Sequence, residues 1–169
     1  MLALGAALLL TLASACATSS NAGPALPEGP VALRLIGADG APLNVAGLRG
    51  KVVIVSIFGT WSDPALVELR LFETMRERWQ EDVEVVCAIV EEDQQMVRIF
   101  EETFEFPFHV GRVEDPRAFT SQFGPFGPIS VSPTSVLLDK RGHIAARMDG
   151  MWPPEVLTEA LETLVARPD

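Results

Sequence analysis

The segment at residues 61–65, with the sequence WSDPA, holds the side chains that could take part in catalysis. A serine acts as a nucleophile only beside a general base, and the two histidines, His109 and His143, stand in no motif that would bring them to Ser62. A carboxylate at a helix start is stabilised in its charged form, so Asp63 would be a weak base at neutral pH. We therefore expect Ser62 and Asp63 to cap a helix.

Thiol chemistry has few candidates, because the 169 residues include two cysteines, Cys16 and Cys87. Cys87 lies in the middle of an apolar run, between Val86 and Ala88, without the helix terminus or cationic neighbour that lowers a thiol pKa. A lone cysteine in such a run indicates core packing. The pattern therefore disfavours a one-thiol peroxidase.

A strand and an amphipathic helix are predicted to position residues 61–65. Val52 to Ile57 is an apolar run without polar alternation, which is typical of a strand buried on both faces. Ser62 or Asp63 suits a helix N-cap, and Pro64 suits the first helical turn. The apolar residues that follow recur at steps of three or four and predict a helix that packs on a sheet: Leu66, Leu69, Phe72, Met75 and Trp79.

This strand-to-helix junction resembles the active-site segment of the thioredoxin superfamily, in particular the membrane-tethered TlpA/ResA group, which carries Trp-Cys-x-Pro-Cys there. Trp61 and Pro64 match that motif, whereas Ser62 and Ala65 stand at its cysteine positions. In the family, the first cysteine attacks a disulfide as a thiolate and the second resolves the mixed disulfide. The resemblance thus implies a retained fold and lost thiol–disulfide exchange. Ser56 stands where the family has a buried Asp or Asn, which agrees with that loss.

The loop at residues 124–134 extends the resemblance. In the family, a proline directly before the next strand is cis and faces the active-site cysteines, and Pro133 matches that position. A trans proline at a strand edge is the alternative that the sequence by itself favours. With a cis proline, the junction and the loop would form an apolar groove for an extended peptide. The residues assigned to this groove are Trp61, Ser62, Asp63, Pro64, Phe126, Ser132 and Pro133.

The remaining patterns complete an α/β thioredoxin fold, with a central mixed β-sheet flanked by helices and an added N-terminal β-hairpin. Turn residues at 38–40 predict the hairpin, and those at 139–142 predict a second one between strands 135–138 and 144–148. A further buried strand is expected at 83–90, a segment on the flank of the sheet at 106–110, and helices at about 91–104, 115–123 and 154–166.

The N-terminus predicts export and lipidation. Residues 1–15 carry no charged side chain and resemble a lipoprotein signal peptide that ends before Cys16, the expected lipidation site. An ordinary secretory signal or a short anchor is the alternative. Residues 16–30 are small, polar and rich in Pro and Gly, as in a flexible tether, and 31–169 form the predicted domain. We expect a location in a bacterial cell envelope, lipid-anchored to a membrane and facing the periplasm.

Charge and composition exclude several classes of function. The net charge of −10 disfavours nucleic acid, because binding it requires a basic surface. Phe58-Gly59-Thr60 also resembles Sco-type copper chaperones, in which two cysteines and a later histidine supply the metal ligands. Because thiolate ligation is unavailable at this segment, we expect neither a metal nor another cofactor. The predicted function is non-covalent binding of a polypeptide partner in the envelope. The alternative is a TlpA/ResA-type thiol-disulfide oxidoreductase, or an accessory of cytochrome c maturation or envelope redox homeostasis.

Overall fold

The computed structural model describes residues 29–91 and 93–168. The predicted signal peptide, Cys16 and nearly all of the tether therefore lie outside the described residues. The elements are β1 (Arg34–Gly37), β2 (Pro42–Asn44), a 3-10 turn (Val45–Leu48), β3 (Val52–Phe58), α1 (Asp63–Trp79), β4 (Val83–Ile89), α2 (Gln94–Phe104), β5 (His109–Val113), α3 (Pro116–Phe119), β6 (Thr134–Leu138), β7 (Ile144–Asp149) and α4 (Pro154–Val165).

The strands form one seven-stranded sheet in the order β2-β1-β5-β4-β3-β6-β7. β3, β4 and β5 are parallel, with α1 and α2 as the connections between them. β6 pairs antiparallel with β3, and β7 pairs antiparallel with β6 at the edge of the sheet. Every residue of β3 and β4 is buried, as the absence of polar alternation predicts for central strands covered on both faces. The predicted mixed sheet and the N-terminal hairpin of β1 and β2 are confirmed.

Two hydrophobic clusters cover the two faces of the sheet. The first contains the apolar faces of α1, α2 and α4 together with Ile54 and Phe58 of β3. The second contains Val53 and Val55 of β3 with residues of the N-terminal segment and of the loop before β6. In α1, Leu69, Phe72 and Met75 are buried as predicted, and Leu66 and Trp79 are partly buried.

The prediction for residues 106–110 was wrong, because β5 is an inner strand that pairs with β4 on one side and β1 on the other. Its sequence, HVGRV, lacks the continuous apolar run that marks β3 and β4. Gly111 explains the close approach of β1, since a Cβ atom there would lie 2.9 Å from Leu35 Cβ and 3.0 Å from Ile36 O. A short strand with a central glycine therefore carried too little sequence signal.

The predicted helix at 115–123 is shorter than expected. Asp115 caps α3, since its Oδ1 accepts hydrogen bonds from the Arg117 and Ala118 amides, each at 3.0 Å. The helix ends at Phe119, and the chain then turns so tightly that a Cβ on Gly124 would clash with the Phe119 carbonyl. Within the part of the chain that is described, no helix has the length and apolar character needed to cross a bilayer.

Candidate functional site

The junction between β3 and α1 forms the centre of the site. β3 ends at Phe58, and the Ser62 amide donates to Gly59 O at 3.0 Å as the chain turns into α1. Thr60 is held by Glu91, whose Oε1 accepts from the Thr60 hydroxyl at 2.7 Å and from the Thr60 amide at 3.2 Å. The junction is therefore tied to the end of β4, the next parallel strand.

The Ser62 hydroxyl does not cap α1, which corrects the sequence prediction. Ser62 occupies the N-cap position, yet it is buried and its Oγ has no hydrogen-bond partner among the described residues. An N-cap oxygen accepts from the second or third helical amide. Pro64 has no amide hydrogen, and the Ala65 amide donates instead to Ser62 O at 3.0 Å. Asp63 is an exposed acid in the first turn, where it contributes charge but is not the N-cap residue.

The two histidines lie next to carboxylates elsewhere in the fold. His109 Nε2 is 3.9 Å from Glu84 Oε2, and His143 Nδ1 is 3.6 Å from Asp139 Oδ2. Because no partner in the described residues reaches Ser62 Oγ, neither histidine activates it as a nucleophile.

Trp61 projects from the junction with 73% of its surface exposed. Its indole folds back over Gly59, where an added Cβ would clash with Trp61 Nε1. Glycine at this position thus allows the ring to lie against the backbone. A large, mostly exposed aromatic ring held in this way can serve as an anchor for a binding partner.

A groove of about 210 Å³ lies between the junction and the loop before β6. The Ser132–Pro133 peptide bond at its end is cis, as the resemblance implied. Ser132 lines the groove and its Oγ has no partner within the described chain, while Pro133 is buried beside it. The groove-lining residues are Ile57, Phe58, Gly59, Trp61, Val90, Thr120, Ile129, Ser130, Val131 and Ser132.

Phe126 was wrongly assigned to the groove surface. It is completely buried and packs edge-on against Phe119, with ring centroids 5.8 Å apart. Its carbonyl accepts a 2.7 Å hydrogen bond from Arg147. Ile129 and Val131 line the groove in its place, and their alternation with Ser130 and Ser132 was the available sequence signal.

Glu68 is a site residue that the sequence analysis missed. It is 2% exposed and lies one turn after Ala65 on the buried face of α1. Its Oε2 accepts from Ser135 Oγ at 2.8 Å, and its Oε1 accepts from the Trp152 amide at 2.9 Å. Burial raises the pKa of Glu68 above its usual range, although both hydrogen bonds act in the opposite direction. The sequence signal for its burial was its position in the helical repeat, on the same face of α1 as Ala65, Leu69 and Phe72.

Cys87 lies at the centre of β4, in register with Ser56 of β3. It is fully buried, and desolvation raises the pKa of its thiol well above the ordinary value. The reactive thiolate is therefore strongly disfavoured in the native protein. Among residues 29–91 and 93–168, no three His, Cys, Asp or Glu side chains are grouped as a metal site would require.

The sequence profile of the Redoxin family matches residues 20–161. The chain belongs to the Redoxin family. Two similar sequences are the thiol-disulfide oxidoreductases ResA from Bacillus cereus, 25% identical over 75% of this chain and 70% of the relative, and from Geobacillus thermodenitrificans, 27% identical with the same coverage. Together with the fold, they confirm the resemblance to the TlpA/ResA group.

Solved structures show the same fold. A thioredoxin family protein from Chlorobium tepidum superposes with a TM-score of 0.67 at 23% identity and covers 85% of this chain and 100% of its own. StoA from Bacillus subtilis superposes with a TM-score of 0.59 at 22% identity and covers 79% of this chain and 98% of its own. The chain is thus a thioredoxin-like member of the Redoxin family whose motif carries Ser62 and Ala65.

Proposed function

We propose that this protein binds an extended segment of a polypeptide partner without covalent chemistry. The observation that carries the proposal is an open apolar groove beside Ser132–Pro133, with no thiol on the described residues around it. Thiol–disulfide exchange requires a thiolate that attacks and a second thiol that resolves the intermediate. Ser62 and Ala65 can supply neither, and Cys87 is buried in the sheet.

The groove supports binding through shape and exposed apolar area. Trp61 on one side and Val131 on the other are exposed by 73% and 42%. An extended peptide can place one apolar side chain between them while its backbone runs along residues 130–132, which precede β6. A Trp that becomes buried against a bound partner is among the side chains that most often dominate binding energy.

For the location, we propose a lipid-anchored protein of a bacterial envelope, with Cys16 as the acylated residue and residues 16–30 as the tether. The signal-like residues 1–15 support this proposal. Labelled palmitate should be incorporated by cells that express the full chain and should be lost in Cys16→Ser. Incorporation that persists in Cys16→Ser would contradict the anchor.

Crosslinking in intact cells tests the proposed binding. A photoreactive amino acid at Val131 should give a discrete adduct with a polypeptide, because this position lines the groove. The same amino acid at Ile99, a 46% exposed residue of α2, serves as the control for non-specific capture. Trp61→Ala should abolish the Val131 adduct. Identical adducts from both positions, or adducts that do not change in Trp61→Ala, would overturn the proposal.

Glu68 favours a second candidate, a thiol-disulfide oxidoreductase or an accessory of cytochrome c maturation or envelope redox homeostasis. A buried carboxyl group with a raised pKa beside a site is typical of proton transfer. However, both Glu68 oxygens are engaged by Ser135 and Trp152.

An insulin reduction assay separates the two candidates. The chain should not accelerate insulin reduction above the dithiothreitol background, because Ser62 and Ala65 provide no thiol at the site. Catalysed turbidity that disappears in Cys87→Ser would instead support the oxidoreductase.

A further inference from the structure

The rim of the groove is acidic. In the sequence, the charged residues within two positions of a groove-lining residue are all carboxylates, and two of them, Asp63 and Glu91, lie in the described part of the chain. Asp63 is exposed and follows Trp61 by two residues, and Glu91 is half-buried and accepts a hydrogen bond from Thr60. Neither Asp63 nor Glu91 forms a salt bridge with another described residue. Their negative charges thus remain available to a ligand.

Nearby arginines are mostly engaged elsewhere. Arg147 donates to the carbonyls of Phe126 and Pro128, each at 2.7 Å, and pairs with Asp149 at 2.8 Å. Arg112 donates to Gln94 and to the Val113 carbonyl. Arg117 is exposed on α3, three residues before the lining residue Thr120. Asp63 and Glu91 together carry more charge than Arg117, so the described residues near the groove are negative on balance. The chain as a whole has a net charge of −10.

Trp61 adds a second attraction for a cation. An exposed indole face attracts Lys or Arg through its quadrupole, with Trp the strongest of the aromatic residues. The Trp61 indole is 73% exposed, and Asp63 follows it by two residues. A cation stacked on the indole would therefore also lie close to a carboxylate.

We infer that the groove selects a basic partner segment, in which Lys or Arg flanks the apolar side chain that enters between Trp61 and Val131. This inference rests on the proposed function and specifies the chemistry of the partner. Complementary charge around an apolar anchor steers the encounter and discriminates against acidic segments. Because the carboxylates are exposed or half-buried, the preference should weaken as salt screens them.

Fluorescence anisotropy tests the inference with the full chain in a neutral detergent. The probes are three labelled peptides of the form Gly-Ser-X-Val-X-Ser-Gly, in which X is Lys, Ser or Glu. The Lys peptide should bind about two- to five-fold more tightly than the Ser peptide, the range expected for one exposed ion pair, and the Glu peptide should bind most weakly. The Lys-over-Ser preference should shrink between about 0.05 and about 0.5 M salt.

Matched variants locate the effect. Asp63→Asn with Glu91→Gln removes two negative charges from the rim, keeps an oxygen to accept from Thr60, and should reduce the Lys preference towards one. Glu77→Gln with Glu81→Gln removes the same charge from exposed residues at the other end of α1. Glu77 lies about 21 Å along the helix from Asp63, at about 1.5 Å per residue. This control pair should retain the preference.

The outcomes separate the inference from the proposed function. If all three peptides bind equally and Trp61→Ala abolishes their binding, the groove is a peptide site and the basic preference is wrong. If the control pair reduces the preference as much as the rim pair, net charge rather than the rim is responsible, which also overturns the inference. If none of the peptides binds, the proposed function fails together with the inference.

Discussion

At the scale of single residues, Glu68 shows how burial sets the behaviour of a side chain. Its carboxyl group is held by Ser135 and the Trp152 amide in the cluster of α1 and α4. Because burial raises its pKa above the ordinary 4.5, the unfolded chain releases the proton at a lower pH than the folded one. Its contribution to stability is therefore fully present below about pH 4.5 and is lost as the pH rises through the folded-state pKa.

Glu68→Gln should remove this dependence on pH. Glutamine keeps an oxygen that can accept from the Trp152 amide but does not titrate. We expect the free energy of unfolding of the wild type, minus that of the variant, to fall between about pH 4 and about pH 8. Urea unfolding of both proteins at both pH values measures this difference, in which the other carboxylates cancel. A difference that stays constant would show that Glu68 titrates as if it were exposed.

At the scale of elements, the start of α1 sets the distance between the two positions that carry cysteine in the family motif. Ser62 and Ala65 stand one turn apart, joined by the 3.0 Å bond from the Ala65 amide to Ser62 O. Residues at this spacing have Cβ atoms about 5–6 Å apart, which small rotations bring within reach of a disulfide. The backbone at these two positions is therefore compatible with a disulfide.

The double change Ser62→Cys with Ala65→Cys should therefore create a reducible pair. Oxidised glutathione should protect both new thiols from alkylation, and dithiothreitol should expose them, as measured by mass spectrometry. Ser62→Cys alone is the control and should form a mixed disulfide with glutathione instead. Free thiols in a folded, oxidised double variant would count against the alignment with the family motif.

The loop before β6 depends on an internal aromatic anchor. Phe126 is buried against Phe119, while Phe123, three residues earlier, is 88% exposed. Phe126→Ala should lower the free energy of unfolding by about 3–5 kcal/mol, as for other buried phenylalanines. Phe123→Ala is the matched control and should change it by about 0.5 kcal/mol or less. Equal effects in denaturant titrations would refute the assignment of Phe126 to the core.

At the scale of the whole molecule, the reactivity of the Cys87 thiol should follow global unfolding. It lies in the fourth of seven strands in the sheet order, with β3 and β5 on either side. Its thiol is fully buried and its pKa is raised by desolvation, so a thiol reagent can reach it as a thiolate only after the sheet opens.

In Cys16→Ser, where Cys87 is the one remaining cysteine, labelling by a chromogenic thiol reagent should be at least about a hundredfold slower in buffer than in concentrated urea. The urea midpoint for labelling should coincide with that for loss of circular dichroism. Rapid labelling of the native protein would indicate an accessible thiol and would revive the peroxidase hypothesis.

The sequence determined much of this fold because the informative patterns are local. Continuous apolar runs indicated β3 and β4, a helical repeat indicated α1, and turn residues indicated both hairpins. The family motif indicated Trp61, which lines the groove, and the substitution of its cysteines is visible without any structure. These features depend on residues that are neighbours in the chain.

Tertiary structure decided the features that depend on distant neighbours. β5 is a strand because β4 and β1 supply its hydrogen bonds, although its own five residues form no clear pattern. Phe126 is buried because it packs against Phe119 at the end of α3. Ser62 does not cap α1, because its hydroxyl is buried and accepts no hydrogen bond from a helix amide among the described residues. The hydrogen-bond partners of Glu68 are Ser135 and the Trp152 amide, which lie 67 and 84 residues further along the chain. The helical repeat indicates that position 68 faces the core, but the hydrogen-bond partners of Glu68 and its pKa depend on packing between distant segments.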